Sequence, residues 1–280
     1  MNTRQLIRRR YLLAGAALAA WHPAHAQLKS GENPEASVIW QKLRKSLFEA
    51  RPIRSAAEEV LVLDVPVRAE DAAIVPIAMR TRLAQEGPRR LSKLYLVIDN
   101  NPSPLAAVFE FTKESGRADI ETRVRIDEYT HVRAIAELAD GSLHMATRWV
   151  KASGGCSAPP GKDQAAALAT LGRMRFRVDE AAGAPGQPVL AQLMISHPNN
   201  SGLAMDQSAR QYTPAHFVRK INVSYGGRPL LSADVDFSIS ENPNFRFWFV
   251  PRSGADELKA EIVDSHDLRF ETHVAYGPKL

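Results

Sequence analysis

Short runs of alternating apolar and polar residues, each closed by a turn signal, dominate the sequence from Glu59 onward. Successive side chains of a strand point to opposite faces, so each run has one face to bury and one to leave in water. A chain built this way has to stack sheets on one another. The first series comprises 60–65, 74–80, 91–98, 105–111, 119–125, 131–138 and 143–150, with turns at Gly87-Pro88, Asn100-Asn101-Pro102 and Asp140-Gly141. The second comprises 174–178, 189–196, 217–225, 229–236, 245–250, 257–263 and 269–274, with Gly226-Gly227 as a tight hairpin and 197–214 as a longer loop. Ile39, Trp40, Leu43, Leu47 and Phe48 recur at helical spacing, which predicts an amphipathic helix within 34–50; an Ala-rich stretch predicts a short helix over 164–171. The fold class expected is all-β: two immunoglobulin-like β sandwiches joined by a Gly/Pro-containing cysteine arm, with a short N-terminal helix.

The N-terminus is read as an address. Arg8, Arg9 and Arg10 precede an apolar run of about 10 residues, too short for a roughly 20-residue membrane span, and Ala24-His25-Ala26 has the pattern of a cleavage site. Residues 1–26 are therefore expected to be a signal peptide of twin-arginine type, with Sec export as the alternative, and the mature chain to be periplasmic. The formal charge of +5 comes largely from this segment. Beyond it, 32 Lys and Arg stand against 31 Asp and Glu. That balance offers no basic face for nucleic acid, and no later run is long and apolar enough to span a membrane.

Cysteine use narrows the function. Cys156 stands alone in the 280 residues, so an internal disulfide is excluded. Its neighbours, Lys151-Ala152-Ser153-Gly154-Gly155-Cys156-Ser157-Ala158-Pro159-Pro160, lack any apolar alternation and read as an exposed, flexible arm spanning 151–163, between domains at 27–150 and 164–280. Gly154 and Gly155 are assigned to its flexibility. Arg148, Lys151 and Lys162 form a local cationic excess that would favour a thiolate.

These residues also carry a resemblance. Ala69-Glu70-Asp71-Ala72-Ala73-Ile74-Val75-Pro76-Ile77, Asp99-Asn100-Asn101-Pro102-Ser103-Pro104-Leu105-Ala106, Thr122-Arg123-Val124-Arg125, Ala139-Asp140-Gly141-Ser142-Leu143 and Gly154-Gly155-Cys156 resemble SoxY, a subunit of the bacterial sulfur-oxidation carrier. Met194-Ile195-Ser196-His197-Pro198, Tyr225-Gly226-Gly227 and Ile239-Ser240-Glu241-Asn242-Pro243 resemble SoxZ. The resemblance implies a covalent carrier whose Cys156 holds a sulfur intermediate for partner enzymes, with no chemistry of its own. Two departures stand out: the domains are fused, and Ser157-Ala158-Pro159-Pro160 replaces the family's glycines after the thiol. Fused chains of this kind resemble the SoxYZ-like carriers associated with quinoprotein (PQQ) dehydrogenases, for which thiosulfate need not be the cargo. The implied partners are periplasmic sulfur-oxidising or quinoprotein dehydrogenase-system proteins and small sulfur species.

Other motifs are weak. The eight histidines form no His-x-x-x-His pair and have no Cys at ligand spacing, so neither a metal nor a cofactor is expected. His197 before Pro198 reads as a strand end. No Gly-x-Ser-x-Gly and no phosphate loop occurs. Two readings remain open: a covalent carrier acting through Cys156, and a non-covalent accessory module of a periplasmic quinoprotein dehydrogenase system in which Cys156 is incidental.

Overall fold

A computed structural model describes residues 33–159, 164–179, 186–206, 210–252 and 254–277. The proposed signal peptide and residues 160–163 of the expected arm lie outside the described residues. In the first half, a single helical turn at Pro34–Ala36 leads into α1 (Val38–Phe48), followed by β1 (Ile53–Ser55), β2 (Val62–Asp64), β3 (Val75–Arg80), β4 (Leu91–Ile98), β5 (Leu105–Phe111), β6 (Ile120–Val124), β7 (Thr130–Leu138) and β8 (Leu143–Val150). The second half holds α2 (Gln164–Ala169), β9 (Met174–Val178), β10 (Val189–Ile195), β11 (Met205–Asp206), β12 (Gln211–Tyr212), β13 (Val218–Tyr225), β14 (Arg228–Val235), β15 (Asn244–Phe249), β16 (Asp256–Asp264) and β17 (Arg269–Tyr276).

The alternation does what it predicts. Val189, Ala191, Leu193 and Ile195 of β10 point inward, as do Phe245, Phe247 and Phe249 of β15. Strand β7 departs from it: all but one of its residues are buried, because both of its faces are covered. On its outer side Trp40 and Phe48 of α1 pack on Val97, Ile135 and Leu143, each large side chain contributing about 1.5–3 kcal/mol by leaving water. The Ser37 hydroxyl caps this helix by accepting from the Trp40 amide. Beneath it the buried Arg133 pairs with Asp99 at 2.7 Å and lies 4.6 Å from the Trp40 ring centre.

The two halves are less separate than the strand series suggests. A nine-stranded sheet runs β1-β8-β7-β4-β5-β14-β13-β16-β17, and a six-stranded sheet runs β2-β3-β6-β15-β10-β9. Both cross from one half to the other. The junctions are β5 with β14, from Phe111 opposite Leu231 to Ala107 opposite Val235, and β6 with β15, where Ile120 opposes Phe247. One hydrophobic core fills the space between the sheets across this seam. The expected pair of sandwiches therefore shares its sheets edge to edge, which removes two exposed edges from each half. Strand β1, which pairs in parallel with β8, and the small β11–β12 hairpin inside the 197–214 loop were not expected.

Candidate functional site

The residues after β8 do not project into solvent. Lys151 donates its amide to Val67 and accepts from Ala69, which pins the segment to the first half. It then turns at Gly154, whose φ of +79° lies in the region that favours glycine. Gly154 and Gly155 donate to the carbonyls of Asp127 and Ile126 at 2.7 and 3.0 Å. A Cβ on Gly155 would stand 2.1 Å from the Ala72 carbonyl oxygen, so glycine is required here for close approach rather than for freedom. The Cys156 amide faces Asp127 Oδ1 at 3.3 Å, and its carbonyl accepts from the Ser201 hydroxyl of the second half at 2.5 Å. Cys156 is 1% exposed.

This corrects the expected exposed thiol. The neighbouring Gly, Ser and Pro supply no cover of their own; the cover comes from distant segments of both halves. Burial above all pushes the Cys156 thiol up to about 12, the Asp127 carboxylate adds to this, and Arg125 opposes it. The closed site therefore holds a neutral thiol, which is a poor nucleophile. Of the expected cationic excess, Arg148 is exposed and bonds the Thr147 carbonyl, Lys151 is not among the charges that act on the thiol, and Lys162 lies outside the described residues. The relevant cation is Arg125, just past β6. It is buried, and its Nη1 donates across the seam to the carbonyls of Asn199, Phe237 and Ile239 at 2.9, 2.9 and 2.7 Å.

Asn101 ties the same corner together. Its Oδ1 accepts from the Asp127 amide, and its Nδ2 donates to the Arg125 carbonyl and to the Ser238 hydroxyl. Asp236 completes the surroundings: burial raises its carboxyl to about 6, and its Oδ2 lacks a hydrogen-bond partner. The sequence reading singled out Cys156, Gly154 and Gly155 but assigned no role to Arg125, Asp127, Ser201 or Asp236. Arg125 and Asn101 do lie in stretches that carry the resemblance; Asp127 and Ser201 have no local signal. Among the described residues, no helix is long and apolar enough to cross a membrane.

Comparison with known families agrees with this two-part construction. The model of sulfur oxidation protein SoxY matches residues 44–156, and that of sulphur oxidation protein SoxZ matches 176–275. The first match ends on Cys156. Among solved structures, the sulfur carrier protein SoxY from Chlorobium limicola f thiosulfatophilum aligns at 21% identity, covering 41% of this chain and 96% of that one, with a TM-score of 0.34. The fibronectin(III)-like modules of Clostridium thermocellum CbhA align at 11% identity, covering 78% and 94%, with a TM-score of 0.22. No curated protein matches the chain. With a SoxY domain that ends on Cys156 and a SoxZ domain after it in one polypeptide, the chain belongs to the SoxY/SoxZ family of sulfur-oxidation carriers.

Proposed function

We propose that the chain is a periplasmic covalent carrier that holds a sulfur-containing group on Cys156 and presents it to partner oxidising enzymes. The observation that carries this reading is the position of Cys156. It terminates the SoxY match and sits where Asp127 of one half and Ser201 of the other both hold its backbone. A thiol holds sulfur through an exchangeable S–S bond, which suits cargo that must be attached and released.

Loading requires the segment to open. In the closed arrangement the thiol is neutral and covered; once undocked, its pKa returns toward the ordinary value of about 8.5, and a thiolate becomes available at mildly alkaline pH or beside a partner's cation. Few bonds hold the segment, so opening is local rather than global. Closure would shield a loaded or empty thiol between encounters.

Burial of Cys156 is also the observation that favours the second reading, an accessory module of a quinoprotein dehydrogenase system with an incidental cysteine, because free cysteines are commonly buried as small hydrophobes. Complementation separates the two. Cys156→Ser should still fold, with a loss of about 1–3 kcal/mol because it buries a hydroxyl at a site that is 1% exposed, and should abolish growth that depends on the pathway. Full complementation by this variant would overturn the carrier reading in favour of the accessory module.

A further inference from the structure

Three side chains that the sequence scatters meet in the second half. His197 follows β10, His216 precedes β13 and Asp264 ends β16. All three are buried, and one ligand atom from each lies within 4.8 Å of the others. We infer that His197, His216 and Asp264 form a binding site for one divalent transition-metal ion, with Zn2+ as the simplest occupant. The site is distinct from Cys156 and does not depend on the carrier reading.

The donor set is two imidazole nitrogens and one carboxylate oxygen, a set that suits zinc and its neighbours. Donors with metal bonds of ~2.0–2.2 Å stand roughly 3.3–3.6 Å apart in a tetrahedron. His197 Nε2 is already 3.6 Å from Asp264 Oδ2; His216 Nε2, now 2.7 Å from the same oxygen, has to back away by a fraction of an ångström. The carboxylate is prepared for this role. Its Oδ1 accepts from the amides of His266 and Leu268 at 2.8 and 2.9 Å, which orients Oδ2 toward both imidazoles.

The independent sign of a missing ligand is His197. Its side chain is wholly buried, and Nε2 has no hydrogen-bond partner. Without metal, Nδ1 accepts the Asn199 amide at 3.0 Å, so the neutral ring carries its proton on Nε2. Metal binding at Nε2 moves that proton to Nδ1 and gives up the amide bond; the proton that His216 Nε2 and Asp264 Oδ2 share at 2.7 Å also leaves these two ligand atoms, passing to His216 Nδ1 or to solvent. These two hydrogen bonds are a small loss beside three metal–ligand bonds. The His266 ring, stacked on His216 at 3.9 Å, is engaged with the Ala215 carbonyl and is not a ligand in this arrangement.

An ion there would staple β10, β13 and the β16–β17 turn together. It would also brace the loop from His197 to Ser201, whose hydroxyl holds the Cys156 carbonyl. The sequence expectation of no metal site rested on local spacing, and this cluster has none.

The test uses the full chain, with Cys156→Ala in parallel to remove the thiol as a ligand. The chelator-stripped protein is dialysed against Zn2+ and its zinc content measured; Co2+ then reports geometry by visible absorption. One ion per chain is expected in both proteins. Affinity should fall by more than the roughly 100-fold that a lost outer-shell partner costs in His216→Gln and in His197→Gln, and stay within a few-fold in His266→Gln. On the unmutated chain, nitrogen NMR of the histidine rings should show the His197 proton moving from Nε2 to Nδ1 as zinc binds. Absence of binding by the folded chain, equal binding by the His197 and His216 variants, or an unchanged His197 ring would each overturn the inference.

Discussion

Two seams join the halves of this molecule, and they are built differently. At β5–β14 and β6–β15 the seam is a pair of sheet ladders over one shared core, with Phe109 and Phe245 in edge-to-face contact at 6.2 Å beneath them. At Cys156 the seam is a single turn held by isolated hydrogen bonds: Gly154 and Gly155 to the first half, Ser201 from the second. The first seam cannot part without exposing the core. The second can part at the cost of a few hydrogen bonds, most of which water replaces, and of exposing one small side chain, that of Cys156. A carrier needs both properties, a body that stays joined and a thiol segment that leaves it, and the difference lies in how much apolar area each seam buries.

The largest test of this contrast is at the ladder seam. Phe247 is 1% exposed and opposes Ile120 across the halves. Phe247→Ala should cost about 3–5 kcal/mol in urea unfolding, and both halves should still melt in one transition. Two separate transitions would mean that the halves are independent and the contrast is misdrawn.

At the other seam, Gly155→Ala puts a methyl group where Ala72 O already stands. Docking should weaken by about 3 kcal/mol, at the upper end for an overpacked site, so native-state alkylation of Cys156 should accelerate on the order of 100-fold. Because docking is part of the native state, global stability should fall by about the same 3 kcal/mol, a drop of several degrees in melting temperature, with unfolding still in one transition. Loss of the whole fold instead would show that this turn belongs to the core.

Alkaline pH acts on the same equilibrium. The closed thiol titrates near 12, against about 8.5 when open, so the closed state binds more protons between these values. Its stability is therefore full below about pH 8.5 and declines as pH rises toward 12. Hydrogen exchange at the Gly154 and Gly155 amides should reveal this opening beyond the normal base-catalysed trend, and Cys156→Ala should abolish the excess. The smallest effect is expected from Ser201→Ala, which removes one hydrogen bond: about 1 kcal/mol, or roughly a fivefold rise in alkylation.

Most of the architecture was legible because strand periodicity is a local property. Residues 91–98, 105–111, 143–150 and 174–178 coincide with β4, β5, β8 and β9. The sharing of sheets was not legible, since a ladder between β5 and β14 joins residues more than a hundred positions apart and leaves the same alternation as an independent edge. The site divides the same way. Cys156, Gly154 and Gly155 stand out by composition. The burial of the thiol does not, because its cover comes from Asp127, 29 residues earlier, and Ser201, 45 later. Gly155 illustrates the ambiguity well: a glycine that permits close packing and one that permits motion are the same letter.

The central claim, that Cys156 carries sulfur cargo, is tested most directly by mass spectrometry of the chain isolated under non-reducing conditions from its native cells during growth on a reduced sulfur compound. The carrier account expects the peptide containing Cys156 to bear reducible sulfur adducts in part of the population, at most one adducted cysteine per chain. An unmodified Cys156 thiol throughout, in cells that are actively oxidising sulfur, would contradict it.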